Sequence, residues 1–122
     1  MPELFRLSKI GVIMLGVADT EKSVPFYRDR LGLKLTARFE DFAFFDAGGV
    51  TLALSGGLAR ATGKGAGAVE IVFSVEHIRQ AYQALRAVGV EFSGEPRVVS
   101  GPNWAANFRD PDGHILSIFG PE

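Results

Sequence analysis

Val12-Ile13-Met14-Leu15-Gly16-Val17-Ala18-Asp19 lies over Glu70-Ile71-Val72-Phe73-Ser74-Val75-Glu76-His77 at an offset of 58 residues, with the apolar side chains alternating in step. Alternation with period two marks a strand, and its return at a fixed spacing marks a duplicated unit. Helical spacing follows each copy. In the first, Asp19 is a predicted N-cap and Gly32 the predicted stop, with Pro25 expected to disturb the first turns. In the second, Ile78, Ala81, Tyr82, Leu85 and Val88 hold helical spacing and Gly89 ends the run.

The register resumes after one residue of slippage, with Gly32-Leu33 over Gly89-Val90. Further on, Phe44-Phe45-Asp46-Ala47-Gly48-Gly49 lies over Phe108-Arg109-Asp110-Pro111-Asp112-Gly113 at an offset of 64. Alternating strands over residues 50–55 and 114–119 close the two copies. Each half therefore reads as strand, helix and three strands, over about residues 8–55 and 68–120. The expected fold is α+β, a domain of duplicated βαβββ modules. Residues 56–67, rich in glycine and small side chains, read as a linker between the modules.

Composition narrows the function classes. A chain of 122 residues is one domain by length and buries a core without staples. The net charge of −1 has no basic stripe, so no nucleic-acid partner and no membrane surface are expected. With no cysteine there are neither disulfides nor thiolate metal sites. No apolar run approaches the roughly 18 residues of a membrane span, and the opening residues lack the build of a signal peptide, which makes a cytoplasmic address the expectation.

Side-chain parity assigns the strand faces. Ile13, Leu15 and Val17, with Ile71, Phe73 and Val75, are bulky and are expected to pack under the helices. The opposite face carries Val12, Met14 and Gly16, and Glu70, Val72 and Ser74. In the last strands Leu52, Leu54, Leu116 and Ile118 face the helices, while Thr51, Ala53, Ser55, Ile115, Ser117 and Phe119 face away. A sheet face of small, mixed residues reads as the lining of a cavity.

Val17-Ala18-Asp19, Phe26-Tyr27-Arg28-Asp29, Leu31-Gly32-Leu33 and Asp110-Pro111-Asp112-Gly113-His114 together resemble the vicinal oxygen chelate superfamily, which includes glyoxalase I, bleomycin-resistance proteins and extradiol dioxygenases. The resemblance covers nearly the whole chain and implies that the duplicated βαβββ modules form a curved mixed sheet around a cup-shaped cavity, in a homodimer that binds small molecules. In the family's metal enzymes four cup positions supply His, Gln or Glu to a divalent ion. Carried over, they fall on Val12, Ala53, Glu70 and Ser117. One carboxylate is too few where an open catalytic site needs about three protein ligands. No metal and no cofactor are therefore expected. Gly16 stands where glyoxalase I has an Arg for glutathione.

Among single residues, Glu70 is the candidate catalytic or polar group, because a mid-strand carboxylate on a concave face is costly to desolvate and suited to proton transfer or to a cationic ligand. The alternative is a wet rim position or an ion pair with Arg109 or Arg38. Ligand contacts are expected from Met14, Ser74, Trp104, Ser117 and Phe119. Trp104 is either a stacking surface or a plug in the core or in a dimer interface. Phe42, Phe44 and Phe108 add aromatic surface. His77 reads as an exposed helix start and His114 as a turn residue. Lys64, among the glycines of 63–67, lacks the Gly-Lys-Ser/Thr ending of a phosphate loop. The expected function is metal-independent binding of a small, partly aromatic or apolar molecule. The rival readings are a glyoxalase-like isomerase or lyase with Glu70 as general base, and an interaction domain whose cup is filled by its own side chains.

Overall fold

Residues 10–63 and 69–122 are described by the structure, a computed structural model. The first module runs β1 (Val12–Gly16), α1 (Thr20–Pro25), a π-helical stretch (Phe26–Arg30), β2 (Lys34–Phe39), β3 (Phe42–Asp46) and β4 (Thr51–Ser55). After α2 (Gly56–Thr62), the second runs β5 (Glu70–Ser74), α3 (Ile78–Ala87), β6 (Arg97–Ser100), β7 (Asn103–Arg109) and β8 (Ile115–Pro121). Each module forms a four-stranded mixed sheet, in the orders β1-β4-β3-β2 and β5-β8-β7-β6. The duplication read from the sequence is thus one topology used twice.

Local chemistry explains the helices. The Asp19 side chain accepts from the Glu21 N–H at 2.9 Å and starts α1. Pro25 does not disturb the first turns. It sits at the end of α1, where its missing N–H coincides with a change of register, and the chain continues as a π-helix closed by Leu31 N–H to Phe26 O at 3.0 Å. Gly32 and Gly89 both end their helices at positive φ, +78° and +95°.

Residues 56–62, read as linker, differ from that expectation. They form α2, because Ser55 caps the Leu58 N–H at 3.0 Å and Gly63 closes the far end at φ +76°. Lys64 and the rest of the linker fall outside the described residues.

The parity assignment holds. β1 and β4 pair in parallel, Val12 with Thr51, Met14 with Ala53 and Gly16 with Ser55. β5 and β8 repeat this, Glu70 with Ile115, Val72 with Ser117 and Ser74 with Phe119. The helix-side residues Leu15, Leu52, Leu54, Leu116 and Ile118 are buried, and with Val24, Tyr27, Phe45 and Phe108 they make one core shared by both modules. Each fully buried large side chain contributes roughly 1.5–3 kcal/mol. Among the described residues, no helix is long and apolar enough to cross a membrane.

Polar contacts fasten the second module's Asp-Pro-Asp-Gly-His turn to the first module. Tyr27 Oη donates to Asp110 Oδ2 at 2.8 Å. Asp112 accepts from the Ala18 N–H at 2.8 Å and from the Ser23 hydroxyl at 3.1 Å. His114 Nε2 lies 2.6 Å from the Gly16 carbonyl. A carbonyl only accepts, so Nε2 is the protonated nitrogen. The turn role expected for His114 is therefore a buried latch between modules.

Candidate functional site

On the second sheet the cup-side face carries Glu70, Ser74, Ser117 and Phe119, four of the six candidates, brought together by the β5–β8 register. Glu70 is exposed, and its Oε2 accepts from the Asn107 amide at 2.8 Å. Asn107 pairs with Ser117 in β7 and so shares this face. The ion pairs considered for Glu70 are not formed. Arg109 donates instead to the Gly113 carbonyl at 2.9 Å, and Arg38 sits opposite Ala43 in the β2–β3 ladder.

Met14 lies on the matching face of the first sheet, 41% exposed, beside the fully buried Ala53. Phe44 pairs with Ala53 and Phe42 with Ser55, which continues that face as an aromatic surface. Phe42 and Phe44 are stacked at 6.1 Å, and Phe39 meets Phe44 edge-on at 6.1 Å. The sequence reading assigned no faces to β2 and did not single out Phe39, which a bulge between Leu35 and Ala37 leaves opposite Phe42 on this face. Phe119 is half-buried on the cup side, whereas Phe108 is core.

Trp104 does not join this face. It pairs with Gly120 and points the same way as Ala106 and Phe108, into the helix side of the sheet. There the Arg79 guanidinium of α3 lies 4.9 Å from its ring centroid. Of the two readings of Trp104, packing against the core is the one realised, and it is withdrawn as a ligand contact. His77 is the exposed N-cap of α3 with no side-chain cap bond.

The inner edge strands of the two sheets, β1 and β5, border a crevice of about 180 Å³. Ile13, Val50 and Leu52 line one side and Glu70, Ile71 and Phe73 the other. The crevice is apolar apart from the Glu70 carboxylate, which places the Glu70–Asn107 pair at the seam between the modules. Asn107 was not singled out from the sequence. Counting three residues back from Asp110 puts it on the cup side, but only the sheet order brings it to Glu70.

The four family metal positions do not fit a divalent cation. Val12 and Ala53 have no donor atom, Ala53 is fully buried, and Ser117 offers only a hydroxyl. Among the described residues, no three His, Cys, Asp or Glu gather around one point. The arrangement supplies one ionisable acceptor, an amide and hydroxyls at the edge of apolar surface, which are means of recognition.

A family model described as Glyoxalase/Bleomycin resistance protein/Dioxygenase superfamily matches residues 9–118. The chain is 30% identical to the uncharacterized protein YraH of Bacillus subtilis, over 91% of this chain and 97% of that protein. Among solved structures it is similar to a glyoxalase/bleomycin resistance protein/dioxygenase from Nocardioides, with TM-score 0.79, 28% identity and coverage of 97% of this chain and 86% of that one. A lactoylglutathione lyase from Agrobacterium tumefaciens superposes with TM-score 0.78 at 20% identity, over 94% of this chain and 95% of that one. TnmS3, an antibiotic binding protein from a Streptomyces species, superposes with TM-score 0.79 at 19% identity, over 98% of this chain and all of that one. These last two likenesses are of fold.

Proposed function

The chain belongs to the glyoxalase/bleomycin resistance protein/dioxygenase superfamily, and from that premise we propose that it binds, without a metal ion, a small and partly aromatic molecule bearing a cationic or hydrogen-bond-donating group. The observation that carries this reading is the Glu70–Asn107 pair at the rim of the apolar crevice between β1 and β5. An apolar concavity with a few fixed polar groups is the usual build of a small-molecule site. The volume suits one ring, since a cavity of about 150 Å³ takes up benzene. Met14, Ser74 and Phe119 lie on the cup face, and Ser117 is buried there at 2% exposure, so these four do not line the crevice. The carboxylate stands in water, an environment that suits recognition better than the desolvated setting of a general base.

A second copy belongs to this reading. Val12, Met14, Phe39, Phe42 and Val72 are 50%, 41%, 63%, 37% and 52% exposed, a stretch of apolar cup surface that a partner would cover.

Calorimetric titration with phenyltrimethylammonium, a one-ring cation, tests the proposal. Binding is expected, and Glu70→Gln is expected to weaken it roughly 10- to 100-fold, the value of a hydrogen bond or contact to a charged group. Added EDTA leaves the wild-type Kd unchanged. Equal affinity in wild type and Glu70→Gln, or loss of binding in EDTA, overturns it. Light scattering on the eluting protein reports whether the species is a dimer.

A further inference from the structure

The helix side of the second sheet holds a cavity of about 280 Å³ that takes no part in the site described above. α3 contributes Ala81, Ala84 and Leu85 to it, and the first module contributes Leu31 and Leu33. Its lining is made of Leu, Phe, Val, Ala and Ile alone, so no side chain there offers a hydrogen bond or a charge. Phe108 and Ile118, 1% and 2% exposed, form the floor, and the exposed Ala84 marks the mouth. Among the described residues, Phe73 is the one shared with the crevice between β1 and β5.

The duplication explains why this space exists. Asp19 lies over His77 at an offset of 58 and Gly32 over Gly89 at 57, so the repeat slips by one residue within the helices. Ala84 therefore stands over Phe26 before the slip and over Tyr27 after it. Both rings belong to the π-helical stretch and are buried, 6% and 0% exposed, and Tyr27 packs on the fully buried Phe45 with ring centroids 5.8 Å apart. In either register, module one fills the place with an aromatic ring of its own helix, where module two has a methyl group. A gap in a close-packed interior forfeits dispersion contacts along its lining, and an apolar group that fits restores them.

We propose that this cavity is a second binding site, for a neutral aromatic molecule of one or two fused rings that takes the place a helix ring holds in module one. An apolar cavity of about 150 Å³ stays dry and takes up benzene, and this one has nearly twice that room. A charged group entering it would lose its hydration with nothing to replace it, so the site selects against ions, the reverse of the preference proposed for the Glu70 crevice. The proposal does not rest on that reading.

Naphthalene titrated into protein with ¹³C-labelled methyl groups tests the site. Saturable shifts are expected at the methyl resonances of Leu33, Ala84 and Leu85, and smaller ones at Val50 and Leu52, which line the crevice. Ala84→Phe supplies the ring that module one has. It is expected to weaken naphthalene binding at least about tenfold and, by filling the gap, to raise the melting temperature by about 2–8 °C. Gln83→Phe adds the same ring to an exposed position of α3 outside the cavity and leaves the affinity within about twofold. Ala81→Leu narrows the cavity from within α3, weakens binding about fivefold, and decides the matter if Ala84→Phe fails to fold. Absence of saturable binding by wild type overturns the proposal. So do larger shifts at Val50 and Leu52 than at Leu33 and Ala84, or undiminished affinity in a folded Ala84→Phe or Ala81→Leu.

Discussion

The turns over residues 46–50 and 110–114 hold the same place in their modules and begin with the same residue, yet they do opposite work. Asp46 is exposed, and among the described residues its carboxylate accepts only from the Gly48 N–H, at 3.0 Å. Asp110 is 5% exposed, and its Oδ1 accepts from the Asp112 and His114 N–H groups at 3.0 and 2.8 Å while Oδ2 takes the Tyr27 hydroxyl. The second turn is packed against α1 of the other module, and the first borders the crevice near Glu70. Duplication copied a backbone, and what each turn faces decided whether its aspartate became a fastening or stayed at the surface.

Removing Asp110 is expected to be the largest blow to this asymmetry. Asp110→Ala strands the Tyr27 hydroxyl and two N–H groups in a buried place. The unfolding free energy should fall by about 3–5 kcal/mol, since each unpaired buried donor costs about 1–3 kcal/mol and some will find water. Urea denaturation followed by far-UV circular dichroism measures it. A loss under about 1 kcal/mol would mean that the latch holds little and that the two turns are equivalent after all.

The parts of this molecule written into the sequence are those with a short period. Strand faces followed from alternation, since Leu15, Leu52 and Leu116 are buried where parity put them, and both helix stops fell on glycines at positive φ. Trp104 was left between two readings although parity bears on it: it stands four residues before Phe108, an even count, and so shares the face of a residue that is core. Other features had no local signal. The Glu70–Asn107 pair crosses β8, so it depends on sheet order. The fastening of Asp110 and Asp112 to α1 depends on how the modules dock. Helix α2 hid in a glycine-rich composition, because capping by Ser55 and Gly63 outweighs the weak helix propensity of Gly56 and Gly57.

Tyr27→Phe breaks one strand of the latch and is expected to cost less, about 1.5–3 kcal/mol for a hydrogen bond to a charged group. It also carries a pH signature. Burial, and then the neighbouring Asp110 carboxylate, pushes the Tyr27 phenol well above its ordinary value of 10.0. Below about pH 10 the phenol keeps its proton in the folded and unfolded chains, so its contribution is fully present. Above that pH the unfolded chain loses the proton and the folded one retains it. Unfolding then releases a proton, and stability falls by up to about 1.4 kcal/mol per pH unit. Denaturation midpoints between pH 9 and 11.5 should show this decline in wild type and a shallower one in Tyr27→Phe. Parallel slopes would mean that the phenol is not held in the buried pair.

Asp46→Ala is expected to change stability by no more than about 0.5 kcal/mol, the usual range for a surface position. The reason lies in what shapes the first turn. Gly48 and Gly49 take φ of +74° and +99°, and the Ala47 N–H bonds to the Val50 carbonyl at 3.0 Å, so the backbone turns without help from the aspartate. The bond that Asp46 accepts from Gly48 is exposed, and water replaces it at little cost. The same urea measurement used for Asp110→Ala gives the comparison directly, and the two losses should differ by at least about 2.5 kcal/mol. A cost above about 1.5 kcal/mol at Asp46 would show the first turn to be a fastening too, and would place the difference between the modules in their surroundings rather than in these two aspartates.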